Sequence, residues 1–107
     1  MKFRGLFLLI AIYLCLMPNT GYAQDNAASL YHSRCAMCHG VTGKADTPAG
    51  KAFKAVDYHD PAVMAMTDAE LTAIITNGKE KMPAFGKRLS ASDIAGLVAY
   101  IHVLQKK

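Results

Sequence analysis

The apolar positions of this chain fall into blocks of different character. From Leu6 to Met17 every residue is apolar, without helical or strand periodicity, and Pro18, Asn19 and Gly21 end the run. Asp25 and Asn26 then offer caps for a helix from about Ala27, with Leu30 and Tyr31 on its apolar side and Gly40 at its end. Val41 to Lys51 has no hydrophobic period and contains Gly43, Pro48 and Gly50, so it reads as an irregular loop. Phe53 and Val56 are the next bulky apolar residues, and Asp60-Pro61 can open a short helical turn.

Two stronger helix signals follow. Thr67-Asp68-Ala69-Glu70 has the capping-box pattern, with Met66 placed to staple onto Leu71, and Leu71, Ile74 and Ile75 form a stripe that Asn77-Gly78 ends. After a loop from Lys79 to Leu89, Ser90 and Asp93 form a weaker box, with Leu89 as staple to Ile94. The last helix carries Ile94, Leu97, Val98, Ile101 and Leu104 on one face. No stretch alternates with period two, so the fold class is all-α: three to four helices and irregular loops.

Length and charge narrow the picture. The 107 residues allow one domain. Lys2 and Arg4 ahead of the first apolar run, and Gly21-Tyr22-Ala23 behind it, predict a secretory signal over residues 1–23, cleaved after Ala23. The run is shorter than the roughly 18 residues that span a bilayer, and bulky Leu14 before Cys15 argues against a lipoprotein site. The expected working domain, residues 24–107, carries ten Lys and Arg against eight Asp and Glu, no nucleic-acid binder's balance. It is also small enough to need a staple, a metal or a cofactor in its core. The expected location is the periplasm.

Cys35-Ala36-Met37-Cys38-His39 supplies that cofactor's signature. Thiols at i and i+3 and an imidazole at i+4 share one face of a helical turn, the arrangement that bonds the two vinyl groups of a haem and ligates its iron. A structural zinc site would need a second close pair of ligands, and no cysteine follows Cys38. A redox dithiol would need a βαβ setting, and a plain disulfide leaves His39 without a role. The opposite face of the iron has Met82 as leading candidate: it stands in a loop between two helices and Pro83 restricts its backbone. His59 or an open site remain alternatives, while Met64, Met66 and His102 are better explained by packing or surface exposure.

The order of helix, CxxCH, irregular loop, capped helix, Met-Pro loop and terminal helix resembles the class I cytochromes c. Cys-Ala-Met-Cys-His-Gly, Lys-Met-Pro-Ala-Phe-Gly and Leu-Val-Ala-Tyr-Ile are similar to the small bacterial single-haem members, and the likeness runs from about Asn26 to Gln105. It implies one haem c bonded to Cys35 and Cys38 with His39 and Met82 as axial ligands. It implies a crossing of the first and last helices near Tyr31 and Tyr100, with Ala27 where the family often has glycine. It also implies a proline carbonyl on the free ring N–H of His39, for which Pro48 is the candidate.

Such an iron, closed on both sides, exchanges one electron and binds no substrate, so the chain is expected to be a soluble monomeric electron carrier of positive potential and no enzyme. Lys79, Lys81, Lys87 and Arg88 around the Met82 loop, with Lys44, Lys51 and Lys54, form a candidate docking ring for acidic redox proteins. An ordinary solvated surface explains them equally well. The alternatives are a haem c subunit docked permanently on a respiratory dehydrogenase or oxidase, and a gas-binding or peroxidase-like protein with a labile distal ligand. The position of CxxCH near the expected mature N-terminus disfavours the four-helix cytochromes.

Overall fold

A computed structural model describes residues 20–107 of the chain. Its elements are α1 (Thr20–Arg34), α2 (Ala36–His39), α3 (Pro48–Ala52), α4 (Pro61–Met64), α5 (Asp68–Asn77) and α6 (Ala91–Gln105). Among the described residues there is an isolated backbone bridge between Lys79 and Met82 and no strand. The architecture is all-α, as the periodicity predicts. The extra segments beyond three to four helices are single turns, α2, α3 and α4, which loop punctuation and proline positions only half disclose.

Both capping boxes form. Thr67 Oγ1 accepts from the Glu70 amide at 3.2 Å and the Glu70 carboxylate accepts from the Thr67 amide at 2.9 Å. Ser90 and Asp93 repeat the exchange at 3.0 and 3.1 Å, so Asp serves where Glu is the commoner partner. The first helix departs from expectation: α1 starts at Thr20, not near Ala27. A cap residue stops a helix only where the chain before it is not helical, and interior Asp or Asn costs less than about 0.7 kcal/mol relative to Ala. The expected signal over residues 1–23 lies outside the described residues except for its last four, which belong to α1.

α1 and α6 cross closely. Gly96 stands at the crossing, where a Cβ would just reach van der Waals contact with the Ala27 Cβ, at 3.4 Å. Ala27 is buried, and Tyr31 and Tyr100, one turn further along each helix, have ring centroids 5.1 Å apart. Tyr31 and Leu97 are fully buried, and Tyr58, Val63, Leu71, Ile75, Phe85, Ile94, Val98, Ile101 and Leu104 complete the core around them. Every α6 residue of the predicted stripe is therefore inside. Among the described residues no helix is long and apolar enough to cross a membrane.

Candidate functional site

A cleft opens between the α2 turn and the loop that follows α5. Its lining includes Cys35, Cys38 and His39 from the first and Lys79 to Pro83 from the second, with Leu71, Ile75, Phe85, Leu97 and Ile101 as an apolar wall. The CxxCH turn and Met82, 43 positions further on, thus share one cavity.

The CxxCH turn is held from several sides. Cys35 stands at the junction of α1 and α2, where the His39 amide donates to its carbonyl at 3.0 Å. Gly40 ends the turn with φ +79°, and its carbonyl accepts from the Tyr31 hydroxyl at 2.7 Å. Thr47 caps α3 by accepting from the Gly50 amide, and its hydroxyl donates to the Met37 carbonyl at 2.6 Å. Gly50 is there because α3 presses on this turn: a Cβ would fall 2.2 Å from the Cys38 carbonyl oxygen. Neither Thr47 nor Gly50 stands out in the sequence, because each makes its contact with a segment nine or more residues away.

His39 is buried. Its Nδ1 lies 3.2 Å from the Val56 carbonyl oxygen, which only accepts, so Nδ1 carries the proton and Nε2 the lone pair. Burial lowers the His39 pKa, with the Val56 bond as a smaller opposing influence, so the ring is neutral at neutral pH. This is the tautomer and charge state that a metal ligand needs. Burial also raises the Cys35 thiol to about 11. Cys35 and Cys38 are not joined to each other.

The expected role of Pro48 is corrected here: the carbonyl facing His39 belongs to Val56. Pro48 is the first residue of α3, where its ring suits a helix start. The sequence pointed to proline by family likeness, whereas the strap from Val56 to His59 is what tertiary packing brings alongside. That strap also supplies Tyr58, a buried residue missed by periodicity because it belongs to no helix. Its ring stacks on His39 with centroids 4.8 Å apart and planes 21° apart. Gly43 leaves room for it, since a Cβ there would lie 2.6 Å from the Tyr58 ring.

The Met82 loop is stiffer than Pro83 alone would make it. Lys79 and Met82 exchange backbone hydrogen bonds of 3.1 and 2.9 Å, with Glu80 at φ +55° in the turn between them. Phe85 and Gly86 amides donate to the Ile75 and Thr76 carbonyls, fastening the loop to the end of α5. Gly78 has φ +74°, and a Cβ there would stand 2.7 Å from the Met82 carbonyl oxygen.

The rival ligands are placed differently. His59 has Nδ1 2.8 Å from Asp57 and Nε2 3.0 Å from the Leu104 carbonyl, so both ring nitrogens are engaged. His102 likewise contacts Gln105 and Asp68. Met64 is exposed, and neither it nor the two histidines line the cleft. Met66 does line it, while packing against the core as its predicted staple position requires. Lys54, Lys79 and Lys81 stand at the cleft, with Lys81 Nζ 6.0 Å from the centre of the Phe53 ring; Lys87 and Arg88 are exposed further along the loop.

Comparison with known proteins shows the family to which the chain belongs. Residues 23–101 match the family model of cytochrome c oxidase, cbb3-type, subunit III. A cytochrome c6 from Rippkaea orientalis is 34% identical over 98 residues, covering 90% of this chain and 86% of that protein. A cytochrome c6 from a Nostoc species is 36% identical over 104 residues, with 94% and 90% covered. The FixP subunit of a cbb3-type oxidase from Azorhizobium caulinodans is 34% identical over 89 residues, 81% of this chain but 29% of that protein. The solved structure of the c-type cytochrome KustC0563 superposes with a TM-score of 0.68 at 27% identity, over 74% of this chain and 96% of that one. An apolar cleft edged by two thiols and a neutral imidazole fits a covalently attached haem, and the chain belongs to the c-type cytochromes, in the family of the cbb3-type oxidase subunit III domain.

Proposed function

We propose that this chain is an exported, periplasmic one-electron carrier with a single haem c, bonded to Cys35 and Cys38 and ligated by His39 and Met82. The observation that carries the reading is the shared cleft: the CxxCH turn and the braced Met82 loop face one apolar cavity. The cytochrome c6 relatives, covered over most of their length, support electron carriage and argue against an enzyme.

Haem supplies a metal that gains and loses one electron. The protein's own residues decide the conditions. Cys35 and Cys38 tether the group, and the Val56 carbonyl keeps the Nδ1 proton of His39 in place so that Nε2 is the donor atom. Leu71, Ile75, Phe85, Leu97 and Ile101 keep water from the interior of the cleft, which disfavours the more highly charged oxidised state. Lys54, Lys79 and Lys81 put positive charge at the opening, where an acidic partner docks briefly over a small area.

A visible spectrum and intact mass of the purified protein test the attachment, with covalent haem and loss of residues 1–23 as the expected result. Met82→Ala is expected to open the iron, lower the potential and abolish the sulfur-to-iron absorption band of the oxidised protein. Survival of that band would remove Met82 as ligand. A second reading, a haem subunit of an oxidase, draws on the family model and on FixP. Isolation from native membranes in a stable complex would favour it; isolation as a lone monomer favours the carrier.

A further inference from the structure

The strap from Val56 to His59 has almost no secondary structure of its own, yet it bears both groups that touch the His39 ring. Its outer side is fastened to the end of α6. Gln105 Nε2 donates to the Tyr58 carbonyl at 3.0 Å, and His59 Nε2 donates to the Leu104 carbonyl at 3.0 Å. Hydrogen-bond polarity fixes the first link. The Tyr58 carbonyl accepts only, so the Gln105 amide turns its NH2 toward it and its Oε1 toward His102 Nδ1, 2.9 Å away. With its proton on Nδ1, His102 holds the amide in that donating orientation. In the second link, the Leu104 carbonyl, near the end of α6, accepts from the Lys107 amide at 3.2 Å and has a second lone pair for His59.

We propose that Gln105 and His59 are positioning residues for the proximal histidine: they clasp the strap to the C-terminal turn of α6, and through it press the Val56 carbonyl and the Tyr58 ring onto His39. The inference rests on the reading of His39 as the iron ligand. Its physical basis is the contact between Nδ1 and the Val56 oxygen. At 3.2 Å that bond is at the long end of the ordinary range, so a further retreat of the strap carries it out of that range. A weaker bond makes the imidazole a poorer electron donor, so the oxidised iron is stabilised less and the midpoint potential rises. The clasp thus sets potential from the far end of the chain.

The test uses the intact haem-bearing protein and three variants: Gln105→Met, which keeps shape and removes the donor; His59→Phe; and His59→Gln, whose amide can still donate to Leu104. The readouts are midpoint potential and solvent exchange of the His39 Nδ1 proton followed by NMR. Gln105→Met and His59→Phe are expected to raise the potential and to speed exchange about tenfold, the size of effect that losing one net hydrogen bond gives. His59→Gln is expected to stay near wild type. If Gln105→Met lowers the melting temperature but leaves potential and exchange at wild-type values, the clasp is only structural and the proposal is overturned; this holds even if His59→Phe fails to fold. Wild-type protein without a c-type haem spectrum would instead overturn the haem reading, a result visible before any variant is made.

Discussion

The Tyr58 ring lies parallel to the His39 imidazole, with centroids 4.8 Å apart and planes inclined by 21°. It also meets Tyr31 edge-on at 6.3 Å between centroids, so one phenol links His39 to the crossing of the first and last helices. Burial raises the Tyr58 phenol far above its ordinary value and Tyr31 to about 12, so both stay neutral at working pH. The ring is part of the core on one side and lines the cleft on the other.

Tyr58→Ala is expected to destabilise the holoprotein by about 3–5 kcal/mol, the usual cost of emptying an aromatic core site. Tyr58→Phe, which keeps the stack, is expected to lose about 1 kcal/mol or less. Guanidinium unfolding followed by haem absorbance measures both. Equal midpoints for the two variants would mean that the stacked ring contributes nothing.

Gly78 has no conservative replacement. At φ +74° an alanine is strained, and its Cβ would meet backbone atoms of Met82, Pro83 and Ala84 at 2.7 to 3.0 Å. Gly78→Ala is therefore expected to push the Met82 loop off its seat, costing on the order of 2 kcal/mol. Weakening of the sulfur-to-iron band should accompany the loss, since the strain is delivered to the ligand loop. A stable variant with an unchanged band would show that the loop relaxes freely.

The Gly96 and Ala27 contact makes a second steric prediction. The 3.4 Å approach leaves little space, and a valine at position 96 would force α1 and α6 apart. Gly96→Val is expected to cost about 1–3 kcal/mol and to part the Tyr31 and Tyr100 rings. Near-ultraviolet circular dichroism and thermal unfolding would register the change, and wild-type values in both would contradict the close crossing.

His102 gives stability a pH dependence of known sign. The Asp68 hydrogen bond, at 2.6 Å between Nε2 and Oδ1, raises its pKa first of all, with Gln105 adding to it. A group whose folded pKa exceeds its unfolded value of about 6.5 stabilises the fold fully below that pH, and the gain disappears as pH rises through the folded pKa. Wild type should thus lose melting temperature relative to His102→Gln from roughly pH 6.5 upward. Both partners are well exposed, so the gap will be small. An identical pH profile in the variant would show that the pair contributes nothing.

The local sequence was enough for whatever depends on residues within a turn or two. Capping boxes at Thr67 and Ser90, the α6 stripe and the CxxCH turn each involve groups that are neighbours along one helix, so spacing alone predicts them. Met82 is singled out by its place on a Pro83-restricted loop between two helices, with the family likeness pointing the same way, and it lines the cleft. What the chain could not disclose locally is which distant atoms meet. The carbonyl on His39 is Val56's and not Pro48's, the residue stacked on it is Tyr58, and the strap carrying both is held by Gln105 and His59. Periodicity describes a helix face, but the strap has no period. Its place is decided by hydrogen bonds spanning 17 to 47 residues and by the space left at Gly43, which exist only once α1 and α6 have crossed. The CxxCH spacing points to a covalent haem because its three groups share one turn, whereas the carbonyl and the ring that meet His39 come from a segment brought there by packing between distant parts of the chain.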